Sequence, residues 1–464
     1  MTPTPPTRPD SAPLPAVLFI ATVVSFLTPF MGSAVHIASP AMSELPGMTA
    51  LGINWVSTAY LLAAAVCLVP AGRLGDITGR NRIFTLGLLI FIVSSIACAA
   101  ARSPLSLITS RVIQGMGTAM IFGTSMAILV SVAPPEQRGR VLGINVSAVY
   151  LGLSLGPVIG GFMTQAFGWR SIFLAMAPAG LIALVLRLLF LRGEWADARE
   201  EPFDWMGSVL YSVSLISIIY GFSKIPSELG FGACLAGFVL LGLFVFASSR
   251  MRYPVMNTRL LLSNRPFALS NLAALIHYAA TFGITFLLSL YLQYIKGMSA
   301  REAGLMLVIQ PAFMTVLSPL AGRLSDRFAP WKLASSGMAV SALGLVSLIV
   351  LDHETSMAYI LGSQVLIGVG FAFFSSPNTH AVMSAVERKF LGVASGALGT
   401  MRLVGQMLSM GIIMILFSVW IGDSRITPER YGAFLKASEA AFWVFSAAAV
   451  AGVFVSLGRS NKAE

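Results

Sequence analysis

Two arginines, Arg111 and Arg402, stand inside stretches that are otherwise almost wholly apolar, and no acidic residue falls near the middle of any such stretch. A guanidinium carries five N–H donors in a planar fork and keeps its charge. Two kinds of chemistry suit such a group. It can hold an anionic or acceptor-rich molecule, or it can hydrogen-bond to helix carbonyls across a bundle. The sequence leaves both open. Gln114 and Gln406 follow the two arginines at helical spacing, three and four residues on. His36, His277 and His380 are the imidazoles of the apolar stretches, and imidazole alone among them titrates near neutrality. A structural hydrogen bond is the plainer role for each. No GxxxxGK[ST] or HExxH occurs, and no nucleophile–base pair or metal-ligand spacing can be seen. Neither an enzyme nor an ATP-driven machine is expected, and no cofactor or metal.

A second chemistry lies in two charged strips. Residues 72–82 read GRLGDITGRNR and residues 322–332 read GRLSDRFAPWK, in a chain of which only 11% is charged. Each begins Gly-Arg-Leu-small-Asp. The expectation is a tight turn at the glycine, with Asp and Arg placed to pair across a seam in one conformational state only. That makes Gly72, Arg73, Asp76, Arg80, Arg82, Arg323 and Asp326 candidate gating residues. A solvated loop would explain one strip, but the recurrence of the pattern favours a duplicated gate.

These residues must be positioned by membrane helices. The chain has 464 residues, 56% hydrophobic, with mean hydropathy +0.82. Soluble domains carry about a quarter charged residues. Apolar runs of about 20 residues, each long enough to cross a hydrocarbon core of about 30 Å, recur throughout. Helices are predicted at roughly 15–38, 53–71, 83–101, 105–132, 141–166, 169–191, 205–223, 231–249, 267–294, 303–321, 333–351, 357–384, 391–419 and 433–457, about fourteen. An even number puts both termini on one side. Most Lys and Arg outside the runs fall on that side, which predicts cytoplasmic termini. The formal net charge of +11 is therefore read as membrane topology and not as a nucleic-acid surface. Cys67, Cys98 and Cys234 lie in apolar runs without a CxxC pair, as small core residues do.

The expected organisation is a disordered cytoplasmic tail over 1–14, a six-helix bundle over 15–191, a linker with two additional helices over 192–266, and a second six-helix bundle with a short tail over 267–464. Each strip then follows the second helix of a half, so the halves are a duplication that can rock about a central site. Polar residues in lipid-spanning helices face the bundle interior. Their spacing nominates Met31, His36, Arg111, Gln114, Tyr150, His277, Tyr278, Phe282, Gln310, Phe371, Asn378, Arg402 and Gln406 as the lining of that site. The aromatic and methionine members suit a large apolar substrate or plain core packing. Gly152, Gly156 and Gly160 recur every four residues and make a flat face for close helix approach. Pro157 removes a backbone hydrogen bond beside them, a candidate hinge.

With these motifs in order, the chain resembles the major facilitator superfamily, specifically its fourteen-helix drug–proton antiporter branch. Gly72, Leu74, Asp76, Gly79, Arg80 and Arg82 resemble the loop signature. RVIQGMGTAM on the fourth helix, GLSLGPVIGG on the fifth and GVASGALGTMRLVGQ on the thirteenth resemble three further signatures. The resemblance implies an all-α membrane fold of two six-helix bundles plus two inserted helices. It implies a multi-pass protein of the cell (inner) membrane that exports an amphipathic organic compound by alternating access, with the proton as coupling partner and membrane lipid around it. The strip would latch the gate when the site is open outward. Cation-exporting relatives carry an acid in the first helix; the matching stretch here is FMGSAVHIASP, with Met31 at that position and His36 where an Asn would stand. Two alternatives stay open: a carrier of one anionic or lipid-like molecule with weak or no proton coupling, and a non-transporting receptor or scaffold.

Overall fold

A computed structural model describes residues 13–459, apart from 135–136, 192, 197, 326 and 388–390. Among the described residues, fourteen helices are long and apolar enough to cross a membrane. In hydrocarbon every backbone N–H and C=O must find a partner inside the protein, and a helix supplies those partners within one segment. Spans 1 to 6 are Leu14–Met42, Ala50–Thr78, Arg80–Ala100, Pro104–Val132, Arg138–Phe167 and Arg170–Phe190. Spans 7 and 8 are Trp205–Lys224 and Glu228–Arg250. Spans 9 to 14 are Arg265–Ile295, Ala300–Ser325, Pro330–Val350, Met357–Ser384, Leu391–Trp420 and Pro428–Leu457. Span 1 starts and span 14 ends on one face, here the terminal face; the opposite one is the far face.

Side-chain caps fix several of the starts. Thr49 accepts from Gly52 N at span 2, and Ser103 forms a reciprocal capping box at span 4. Each satisfies a donor that the first helical turn leaves orphaned.

The packing scheme occurs twice. In the first set, span 1 packs on spans 5 and 6, span 2 on span 4, and span 3 on spans 4 and 6. In the second, span 9 packs on spans 13 and 14, span 10 on span 12, and span 11 on spans 12 and 14. Spans 7 and 8 pack on each other, with span 7 set against span 2 of one half and span 13 of the other.

The glycine face of span 5 has a definite partner. A Cβ at Gly152 would collide with the Phe26 carbonyl, one at Gly156 with Ser33, and one at Gly160 would lie 2.7 Å from Ala34 Cβ. All three neighbours are on span 1. Span 5 stays helical through Pro157.

The first charged strip corrects a sequence expectation. No turn forms at Gly72: span 2 stays helical through Gly72 and Asp76 to Thr78, and the chain turns at Gly79, whose φ is +124°. Only glycine takes that backbone conformation readily, and a Cβ at Gly79 would overlap the Glu194 side chain. Arg73 and Asp76 therefore ride on a helical extension of span 2, and Arg80 and Arg82 on the first turn of span 3, instead of on a loop. In the second strip span 10 runs to Ser325, and Asp326 lies outside the described residues.

Candidate functional site

The two halves meet along a seam whose bonding is lopsided. In the half of the molecule toward the far face, Ala50 N donates to the Ser424 carbonyl at 2.8 Å and Arg425 to the Leu45 carbonyl at 3.2 Å. Tyr294 donates to Ser43 at 3.0 Å, Gln293 to the Ile37 carbonyl at 3.0 Å and Ser289 to the His36 carbonyl at 2.8 Å. Asn54 donates to the Met410 carbonyl at 3.2 Å. Glycines let the backbones touch there as well: Gly161 sits against the Ala300 carbonyl, and Gly304 against the Pro157 carbonyl. Nearer the middle, Tyr150 bonds Ser375 at 2.8 Å and Ser154 bonds Thr315 at 3.0 Å. The hydrogen bonds named here between the halves lie at these two levels, the far side and the middle of the seam.

At that middle level a separate buried cluster forms from Tyr150, Tyr278, Met314 and Phe371, with one ring from the first half and three side chains from the second. Tyr278 and Phe371 meet edge to face at 5.3 Å. Arg402 stands over Tyr278, its guanidinium carbon 5.7 Å from the ring centre, and donates through Nη2 to Thr379 Oγ1 at 2.7 Å. Its Nε has no partner, while the side chain as a whole is only half-buried. Gln406, one turn along span 13, is half-buried as well. A floor of rings with one cation beside it can hold an amphipathic molecule by its apolar face and one acceptor group.

The other nominated residues are distributed differently. Arg111 is only 1% exposed, inside the first half. Its Nε donates to the Val56 carbonyl at 3.0 Å, Nη1 donates to Gln114, and its plane lies 4.1 Å from the Tyr60 ring centre. Gln114 passes the chain on to Ser95 at 2.7 Å. Met31 is fully buried. His36 packs edge-on to Phe282 at 5.3 Å and to Phe286 at 5.8 Å. His277 is buried among Phe371, Phe374 and Tyr278, with neither ring nitrogen hydrogen-bonded. Gln310 is buried beside Gly368 of span 12. Asn378 is tied to the Ser270 carbonyl and to Arg459. The structure thus gathers Tyr150, His277, Tyr278, Phe371 and Arg402 at one place, and His36 with Phe282 farther toward the far face.

Among the described residues no carboxylate pairs with Arg111 or Arg402. The acid farthest along a span is Glu439, exposed on span 14.

The fold and seam are those of a duplicated carrier, and comparison with known proteins decides the lineage. The model of the Major Facilitator Superfamily matches residues 18–410, and again 269–462. The chain belongs to the major facilitator superfamily. The riboflavin transporter RibZ of Clostridioides difficile is 28% identical over 95% of this chain and 96% of its own. The multidrug resistance protein Stp of Mycobacterium tuberculosis is 30% identical over 83% of this chain and 73% of its own. A crystal structure of a POT family transporter in complex with 5-aminolevulinic acid shares the fold, with TM-score 0.72 at 15% identity over 97% of each chain. This facilitator is a multi-pass membrane transporter, not an enzyme.

In this member of the superfamily the first charged strip has partners that sequence reasoning missed. Asp76 pairs with Arg80 at 2.7 Å, and Arg80 also reaches Ser131 at 2.9 Å. Arg73 pairs with Glu201, and Arg82 lies 3.6 Å from Glu194. Backbone bonds seal the contact: Arg80 N donates to the Trp195 carbonyl and Ala198 N to the Asp76 carbonyl, at 2.9 and 3.0 Å. The strip is docked on the linker that leads to spans 7 and 8. The one available signal was an acidic cluster, Glu194 with Glu200 and Glu201, in the segment after span 6. Arg323 on the second strip is exposed.

Proposed function

We propose that this transporter exports an amphipathic organic compound by rocker-switch alternating access, and that the structure is the form open toward the terminal face. One observation carries the reading: bonds between the halves gather on the far side of the seam, while the charged strip is held by its own half and linker. The placement of basic residues supports cytoplasmic termini, so the far face is external and the form is inward-open. Closing the terminal face brings the strip against the second half and requires the far-face bonds to break. A two-state element of that kind is what alternating access needs.

The substrate is read from the middle cluster. Tyr150, Tyr278, Phe371 and Met314 offer apolar contact, and Arg402 with Gln406 offers donors. A planar, acceptor-rich compound suits this set, and a relative named for riboflavin and another named for multidrug resistance support that class. Inward protons are the coupling we assign, with His36, His277 and His380 as the titratable candidates.

The test is a covalent clamp on the far face. Ala50→Cys with Ser424→Cys joins two residues already in backbone contact, within reach of a disulfide. Oxidation should stop export from cells or into everted vesicles while ligand still binds, and reduction should restore it. Export that continues through the closed disulfide overturns the reading. Dissipating the pH gradient tests the coupling separately.

The free Nε of Arg402 favours a second reading, a carrier of anionic molecules. Thermal-shift competition separates the two: the second requires anionic ligands to displace both neutral and cationic ones.

A further inference from the structure

On the terminal face of the second half lies a cavity of about 690 Å³ that no residue of spans 1–6 lines. Among the described residues its walls include Asn264, Arg265, Ser270, Trp331, Ser384 and Arg459, and no acidic side chain. Three features of the chemistry point the same way.

First, Arg459 is buried although it follows the last span, and it is only 5% exposed. Its Nη1 donates to Asn378 Oδ1 at 2.7 Å, but Nε and Nη2 have no hydrogen-bond partner among the described residues. Burial pulls its pKa down to about 10. A buried cation with idle donors is costly unless an anion completes it. Second, Ser270 is equally buried, and its hydroxyl also lacks a partner. Third, spans 9 and 11 both begin at this cavity. Asn264 caps span 9 by accepting from Phe267 N at 3.0 Å, and its amide donates to the Ala385 carbonyl at the end of span 12 at 2.6 Å. Span 12 ends at the same cavity and span 14 ends two residues before Arg459, so the helix-end dipoles offset one another there, and the second positive charge comes from the Arg265 guanidinium.

We propose that this cavity binds a phosphate group, held by Arg459, Arg265 and the Ser270 hydroxyl. A phosphate brings enough acceptor oxygens for two guanidinium groups and a hydroxyl together. The site is separate from the central aromatic cluster and does not depend on which compound is exported. The phosphate has two sources: the headgroup of an anionic phospholipid in the leaflet at the terminal face, or free phosphate in solution.

The experiment uses the full chain, stripped of lipid and returned to nanodiscs of phosphatidylcholine alone or with phosphatidylglycerol. Retained lipid is counted by native mass spectrometry, and melting temperature is followed in potassium phosphate against potassium chloride at matched ionic strength. Retention of phosphatidylglycerol that phosphate does not displace identifies the headgroup. Stabilisation by inorganic phosphate with no preference among lipids identifies the free anion. In either case Arg459→Gln and Arg265→Gln should each weaken binding about fivefold, the order expected for one basic side chain at a membrane surface. Arg265 is exposed, so its variant tests the site even if Arg459→Gln does not fold. Wild-type protein that takes up neither probe, or variants that bind like wild type, would overturn the proposal.

Discussion

Arg111 and Arg402 look alike in the sequence and live in opposite circumstances. Each interrupts an apolar helix, each lacks an acid, and each has a glutamine at helical spacing. Arg111 is enclosed: a carbonyl, an amide oxygen and the face of Tyr60 take up its fork, and Gln114 ties that fork to Ser95. Arg402 has one hydroxyl and one ring, a free Nε and a half-exposed side chain. A buried cation whose donors are used stabilises the helices it ties together. One with a donor to spare can take an acceptor from a bound molecule, the role proposed above for Arg402. The difference lies in their neighbours, and so in which substitutions each tolerates.

The comparison can be broken first at Arg111. Arg111→Ala should be the most damaging change, because it takes a charged donor from both the Val56 carbonyl and Gln114 and opens a cavity beside Tyr60. A loss of about 3 kcal/mol is expected, seen as low yield and a melting temperature well below wild type. Gln114→Leu should cost about 2 kcal/mol by leaving Arg111 Nη1 without its acceptor and Ser95 without the amide donor. If both variants fold as well as wild type but fail to bind ligand, Arg111 belongs with Arg402 and the contrast collapses.

Arg402 should behave in the other way. Arg402→Ala should leave melting temperature nearly unchanged and reduce ligand affinity about tenfold, the equivalent of about 1.4 kcal/mol. Arg402→Lys keeps the charge but loses the planar fork, so it should retain part of that affinity. Isothermal titration with the best ligand from a neutral, anionic and cationic panel makes the measurement. A lipophilic cation that binds tightly to Arg402→Ala would remove the guanidinium from the site.

Legibility in the sequence followed the same divide. Helical spacing showed which residues share a face, so the fourteen spans, the glycine stripe of span 5 and the polar stripe of span 13 could be read directly. Spacing does not say which helix a face meets. Nothing at positions 111 and 402 distinguishes an arginine facing Val56 and Tyr60 from one facing a half-open seam, because those partners come from other spans. The first charged strip shows the same limit. Its charges were evident, but pairing with Glu194 and Glu201 depends on the linker folding back over span 2. The turn was placed at Gly72 because glycine and charge suggest a loop, yet a helix tolerates Gly72 and Gly75, and only Gly79 carries a positive φ. Arg459 was passed over because a basic residue near a chain end ordinarily reads as solvated.

The finest distinction concerns Thr379, which gives Arg402 its one hydrogen bond to a neighbouring span, 2.7 Å from Nη2. If that bond only satisfies the arginine, Thr379→Val should be a stability change, because it leaves one more idle donor at a group that already has a free Nε. If the bond aims the guanidinium at the ligand, the shape-conserving valine should leave the fold intact and lower affinity about threefold, from the lost orientation of a flexible side chain. The double variant Thr379→Val with Arg402→Ala then decides the matter. Once the arginine is gone a positioning residue has nothing left to position, so the double variant should bind no worse than Arg402→Ala alone. Additive losses would mean that Thr379 touches the ligand directly, and the site would then extend along span 12 toward the terminal face.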